Sequence, residues 1–286
     1  MTIDYAKLKA WPFPELEHKV TSRDTILYAL GLGLGADPLD ENQLRFVYED
    51  GLKALPSMAA VLAYPGFWLK NPESGIDWKQ VLHGEQGLVV HRPLPAEGTV
   101  IGRTSITEII DKGPGKGALL YSRRDVFDQA SGELLCTVSG TTFCRGDGGF
   151  GGPKGPTPAP HAMPERAPDL DCELRTLPQA ALIYRLSGDY NPLHADPAVA
   201  RTAGFPRPIL HGLCTYGVAG HALLKLVCDY DPVRLKRLDV RFTAPVFPGE
   251  TLKTEVWREG KGLFSFRCRA VERDVVVLNN GLAQTA

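Results

Sequence analysis

The chain has 286 residues, longer than a typical domain of roughly 100–200 residues and about right for two smaller ones. Hydrophobic residues make up 43% and charged residues 23%, a balance that excludes disorder over most of the chain. Lys+Arg 32 against Asp+Glu 33 leaves a formal net charge of -1, so there is no basic excess to hold nucleic acid.

In chain order, Thr25 to Gly31 carries apolar residues at helical spacing and ends on glycine. Leu44, Phe46 and Tyr48 alternate in the manner of a strand, and Pro56 to Tyr64 reads as a short apolar helix. Strand-like runs follow at Val100–Ile110, Ala118–Phe127 and Leu134–Phe143. Residues 146–168 then hold 12 Gly or Pro among 23, which suits neither a helix nor a central strand and reads as a connector. This predicts three parts: 1–145, the connector 146–168, and 169–286.

The second part opens like the first. Ala181 to Gly188 repeats the helical spacing of Thr25 to Gly31, and aligning Tyr184 with Tyr28 also aligns Leu186 with Leu30. Asp196-Pro197 opens a short helix that Gly204 closes. His211 to Cys228 is apolar on nearly every side, which predicts a buried helix, and its glycines let another backbone come close. The period then changes to two at Leu238–Thr243 and Phe264–Ala270, the pattern of half-buried antiparallel strands. These patterns predict an α+β architecture in which a buried helix wrapped by an antiparallel sheet occurs twice.

No run reaches about 18 apolar residues, and Met1 to Val20 has no apolar stretch behind a basic start. Neither a transmembrane helix nor a secretory signal is expected. The C-terminal Ala283 to Ala286 is not a peroxisomal address of the Ser-Lys-Leu type. The six scattered cysteines, with no Cys-x-x-Cys pair, read as reduced buried thiols of a cytoplasmic protein.

The segment Tyr184 to His194, YRLSGDYNPLH, carries the chemistry. Gly188 and Pro192 break the helix, so Asp189, Asn191 and His194 fall on a loop where residues five apart can converge. An Asp and a His within reach of one water form an acid–base pair. Taken alone, the spacing is more often that of a capping Asp beside an unremarkable His. No further ligand stands at a spacing that would mark a metal site, and no Gly-x-Ser-x-Gly elbow is present. The Gly31-Leu32-Gly33-Leu34-Gly35 run lacks the strand and spacing of a dinucleotide loop. No metal and no cofactor are expected.

Ser187 to His194, with Pro208 to Leu213, resembles the signature of the MaoC-like (R)-specific enoyl-CoA hydratases, or hydratase 2. Tyr28 to Gly31 and Leu44 to Glu49 resemble the two-repeat members of that family. The resemblance covers nearly the whole chain and implies a double hot dog, two helices each wrapped by an antiparallel sheet. It makes Asp189 and His194 the catalytic pair, with Asn191 assisting and the Gly212 N–H as oxyanion donor. It implies hydration of trans-2-enoyl-CoA to (R)-3-hydroxyacyl-CoA in fatty acid metabolism, with an acyl-CoA thioester as partner; a homodimer is an expectation that the sequence does not fix. An acyl-CoA thioesterase on the same fold, or a non-catalytic acyl-thioester binding protein, are the alternatives. Under the Tyr28/Tyr184 alignment Asp189, Asn191 and His194 fall on Gly33, Gly35 and Pro38, so one site per chain is expected. The first part is then expected to hold the acyl chain, with Phe67 and Trp68 as lining. His211 reads either as a histidine that approaches the substrate or as a helix-start histidine bonded to backbone, and Arg207 and the Lys112–Lys116 turn read as solvated surface charge before they read as contacts to the CoA phosphates.

Overall fold

The computed structural model describes residues 2–286. Five strands precede the connector: β1 (Leu16–Val20), β2 (Val81–Val90), β3 (Gly98–Asp111), β4 (Ala118–Asp128) and β5 (Leu134–Cys144). Five follow it: β6 (Leu170–Arg175), β7 (Leu235–Phe242), β8 (Thr251–Gly260), β9 (Leu263–Ala270) and β10 (Val275–Thr285). They form one antiparallel sheet of ten strands in the order β1-β3-β4-β5-β2-β7-β10-β9-β8-β6. Numbered within each half, that order reads 1-3-4-5-2 and then 2-5-4-3-1. The same half-sheet therefore occurs twice, related by a pseudo-twofold axis. Its two copies join where β2 pairs with β7, from Glu85 opposite Arg241 to Val89 opposite Arg237. This is the double hot dog.

The helices are α1 (Tyr5–Lys9), α2 (Ser22–Gly31), α3 (Glu41–Leu44), α4 (Ala180–Tyr184), α5 (Pro197–Thr202) and α6 (Gly212–Val227). Thr21 and Asp24 close a reciprocal cap at the start of α2. Helices α2 and α4 occupy equivalent places in the two repeats and pack on each other. The aligned Tyr28 and Tyr184 consequently meet, their ring centroids 5.8 Å apart. Leu44, Phe46 and Tyr48 form no strand. The chain turns there after α3, and only Phe46 is buried.

The two central helical segments differ. Helix α6 runs for 16 residues, about 24 Å, and is buried on nearly every side. At Gly217 a Cβ would lie 2.7 Å from Leu32, so glycine is what lets the end of α2 approach the helix. Its counterpart in the first half is a 3-10 helix of 5 residues, Pro56–Ala60, about 10 Å long. The expected helix to Tyr64 stops early, and the Arg124 guanidinium from β4 takes up the carbonyls of Ala60 at 2.7 Å and Ala59 at 3.3 Å.

The connector carries no helix or strand. One end is tied to the Asp111 carboxylate, which accepts from the N–H groups of Gly149 at 2.7 Å and Gly151 at 2.8 Å. Farther on, His161 Nε2 lies 2.7 Å from Ser265 Oγ, and Asn280 donates to the His161 carbonyl. Between these ties the connector crosses the face of the sheet away from α6. It borders an open cavity of about 450 Å³ over the Glu85–Arg241 and Arg237–Asp239 ion pairs. No helix among the described residues is long and apolar enough to cross a membrane. All six cysteines are free and buried.

Inside α6, His221 is buried between the Leu32 carbonyl and the Tyr230 hydroxyl. Burial pushes its pKa down from 6.5 to about 4, against the pull of Asp40 and with a further push from Lys225. Between those values the unfolded chain holds the extra proton. Stability therefore falls as pH drops from 6.5 toward 4, by at most about 1.4 kcal/mol per pH unit from this group. A His221→Gln protein should lose less of its melting temperature between pH 7 and pH 5 than the wild type. Parallel losses in calorimetry would show that His221 is not a source of the acid sensitivity.

Candidate active site

The loop after α4 is built by local rules. Helix α4 tightens into a 3-10 turn, Arg185–Ser187, and stops at Gly188, whose φ of 114° is left-handed backbone that glycine adopts without strain. The Asp189 carboxylate accepts from the Asn191 N–H at 3.1 Å. The Asn191 side-chain oxygen in turn accepts from the Leu193 N–H at 3.1 Å and opens the turn Pro192–His194. Asn191 is exposed and serves the loop's shape, its N–H orienting Asp189.

His194 is turned inward. Its Nδ1 lies 2.9 Å from the Ile209 carbonyl. A carbonyl only accepts, so Nδ1 carries the proton and Nε2 keeps a lone pair. Burial pushes its pKa below 6.5, against the pull of the Ile209 carbonyl and of Asp189. A neutral imidazole with a free Nε2 is the form a general base needs.

His211 joins them. It is 1% exposed, its ring stacks on His194 with centroids 3.8 Å apart, and its Nε2 donates to the Asp189 carbonyl at 3.1 Å. Ligating atoms of Asp189, His194 and His211 lie within 4.8 Å of one another. A single water bonded at about 2.6–3.2 Å to each of two groups spans that gap. A shared metal ion fits less well. The two rings are tilted by only 29°, and nearly parallel rings do not aim their in-plane lone pairs at one point about 2 Å away.

Gly212 follows directly as the first residue of α6. Its N–H has no intrahelical acceptor and sits at the positive end of the helix dipole. A Cβ there would lie 3.2 Å from the Phe242 ring on β7. Phe242 also packs on His83 of β2, centroids 4.6 Å apart, and His83 pairs with Thr142 across β2 and β5. His83, Thr142 and Phe242 thus share the face of the sheet that carries α6.

These first-half residues were not legible as site residues. His83 is open to solvent, yet enclosure by protein pushes its pKa down to about 4 against the pull of Glu85, Gln86 and Asp189. Tyr64 is 44% exposed, and its hydroxyl is pushed up by burial and by the Asp189 charge. Exposure together with enclosure marks the wall of a cleft. Tyr64 covers Arg124, whose guanidinium lies 5.5 Å from its ring and whose Nε has no partner. A polar residue at an inward strand position, as at His83 and Arg124, was the available signal.

The other expectations separate. Phe67 packs edge-on against Trp78, and Trp68 packs with Trp11 and Phe13 in a second cluster, so Trp68 does not lie beside Ala60 under the sheet. Arg207 lies over the Phe247 ring, and Lys112–Lys116 forms the turn between β3 and β4. At the positions aligned with Asp189 and Asn191, Gly33 and Gly35 have φ of 83° and 78°, and the first half carries no second dyad there.

Two family models match. One, described as "MaoC like domain", covers residues 160–280, and the other, "MFE-2 hydratase 2 N-terminal domain", covers 18–146. The chain is 42% identical to the peroxisomal enoyl-CoA hydratase 2 of Arabidopsis thaliana, over 95% of this chain and 92% of that one. It is also 42% identical to 3-hydroxyacyl-thioester dehydratase Y of Mycobacterium tuberculosis, over 99% of both. A MaoC-like dehydratase from Phytophthora capsici superposes with a TM-score of 0.87 at 33% identity, over 99% of this chain and 98% of that one.

Proposed function

Because the chain belongs to the MaoC-like family in its two-domain hydratase 2 form, and is an enoyl-CoA hydratase 2, we propose that its Asp189/His194 pair hydrates trans-2-enoyl-CoA through one shared water. The enzyme is a hydro-lyase of fatty acid metabolism, interconverting enoyl-CoA and (R)-3-hydroxyacyl-CoA. The observation that carries the site reading is the approach of the Asp189 and His194 side chains to within 4.8 Å, with a free Nε2 on His194.

The steps follow from those positions. His194 Nε2 removes a proton from the water as the water oxygen attacks Cβ. Asp189 holds the same water and orients it. Negative charge grows on the thioester oxygen, where the Gly212 N–H donates to it. A proton returned to Cα from the same side gives syn addition and regenerates the neutral base. Loss of the enoyl-thioester absorbance, with chiral analysis of the product, tests this reading. Release of free thiol instead would reveal a thioesterase, and no turnover at all would leave a binding protein.

The acyl tail enters the first half in this proposal, past His83 and Tyr64, where the 3-10 helix leaves the sheet less filled than α6 does. The half-buried Thr142 beside His83 is a place where that path can be filled without disturbing buried residues such as Ala60. Thr142→Phe should spare crotonyl-CoA and penalise long enoyl chains. Loss of three buried methylenes at about 0.8 kcal/mol each lowers kcat/KM about 50-fold. Equal losses on short and long substrates would send the tail elsewhere. A homodimer in the cytoplasm completes the proposal. The six free, buried thiols suit a reducing compartment, and light scattering measures the assembly.

A further inference from the structure

Loop 188–194, which carries both catalytic groups, is exposed at Gly188, Tyr190, Asn191 and Pro192. Its bonds at Asp189 and Asn191 are made to neighbours two residues away and set its shape, not its place. Two side-chain bonds tie it to the rest of the protein, and both land on one short segment. His194 Nδ1 donates to the Ile209 carbonyl, and the Asp189 carbonyl accepts from His211 Nε2. The His211 ring also stacks against His194 and lies tilted against Tyr184, 5.1 Å between centroids. His211 therefore touches the backbone of one catalytic residue and the ring of the other.

The same residue caps α6. Its carbonyl accepts from Cys214 at 3.0 Å and Thr215 at 3.1 Å, and the next N–H in the chain is that of Gly212. One residue thus stands between carboxylate, base and oxyanion donor. On the reading of Asp189 and His194 as the acid–base pair, we propose that His211 is a positioning residue for the hydration. Its N–H fixes the main chain of Asp189, and its ring is the platform on which His194 keeps its tautomer and aim.

The charges around it suit that task. Burial and the neighbouring His194 and Arg185 push the His211 pKa down to about 4, while Asp189 pulls the other way. His211 is thus neutral when His194 takes up its proton, and no second cation opposes the imidazolium. Its Nε2 proton is engaged by the Asp189 carbonyl, and its Nδ1 is buried.

The test uses His211→Ala, which removes donor and ring, His211→Gln, which keeps a donor near Nε2, and His194→Ala, all assayed on crotonyl-CoA. A misplacement of about 1 Å costs about 100-fold in rate, so His211→Ala should lose about that much in kcat with little change in KM. His211→Gln, which restores the donor without the ring, should recover part of it. In histidine-labelled protein, the His194 ring nitrogens should report a single Nδ1–H tautomer in wild type and a mixture in His211→Ala and His211→Gln, which both lack the ring. A purely structural role lowers the melting temperature without this split. The proposal is overturned by a wild-type kcat in His211→Ala, by a rise in KM alone, or by a Gln variant no better than Ala. Should the Ala variant not fold, His211→Phe replaces it, and unchanged kcat there is equally decisive. An active His194→Ala would instead sink the dyad itself.

Discussion

Asp189→Asn and His194→Ala should each lower kcat on crotonyl-CoA by about 10²–10⁴-fold, the usual worth of a positioned acid or base. Neither change should unfold the protein. Asp189 lies on an exposed loop, and the Asn side chain can still accept from the Asn191 N–H. In the proposed mechanism both groups act on the same water, so once one is gone the other has nothing correctly placed to act upon. The double variant should then be little slower than the worse single variant, far from the product of the two losses. The pH profile supplies a second check. His194 is held below its ordinary value of 6.5, so kcat/KM should hold down to mildly acidic pH and fall as Nε2 becomes protonated. The His194→Ala protein should lack that limb. Near wild-type turnover in either single variant, with an unchanged circular dichroism spectrum, removes the dyad from the mechanism.

Gly212→Pro should cost about 10²–10³-fold in kcat, the effect of losing one oxyanion donor. The substitution is unusually clean at this position. Proline is well tolerated as the first residue of a helix, where its missing N–H breaks no intrahelical bond. The preceding residue must be extended, and His211 already has φ -59° and ψ 135°. Gly212→Ala is the control. It keeps the N–H and asks the Phe242 ring to give by a few tenths of an ångström, since the new Cβ would lie 3.2 Å from it. Activity should survive in the Ala variant and be lost in the Pro variant. If both fall alike, contact with Phe242 is responsible and the donor lies elsewhere.

Much of this site was legible before any coordinates. Gly188 and Pro192 can only interrupt a helix, so a loop at Asp189 to His194 follows from backbone sterics. The all-apolar His211 to Cys228 becomes α6 because no face of it tolerates water. The repeat seen in Tyr28 and Tyr184 returns as two rings in contact across the pseudo-twofold axis. Three features were hidden. Strand β2 has no clean alternation, because a bulge between His83 and Glu85 shifts its faces and its inward Gln86 is polar. Leu44 to Tyr48 alternates without forming a strand, because the chain turns at α3. The first-half wall of the cleft, His83 and Tyr64, lies more than 100 residues from Asp189, and no local pattern can report such a contact.

The sequence by itself determined what local chemistry controls: where α5 and α6 start and stop, which helix is buried, that two repeats exist, and which loop bears a carboxylate and an imidazole. Those outcomes depend on backbone freedom and on the period of apolar residues, both of which act within a few positions. The tertiary structure decided the rest. It alone places the Ile209 carbonyl on Nδ1 of His194, which leaves the Nε2 lone pair free. It alone stacks His211 on His194, and joins β2 to β7 so that His83 of the first repeat packs on Phe242 beside Gly212. A tautomer, a depressed pKa and a shared wall are properties of neighbours in space. They arise when burial strips water from groups far apart in the chain and makes each the other's solvent.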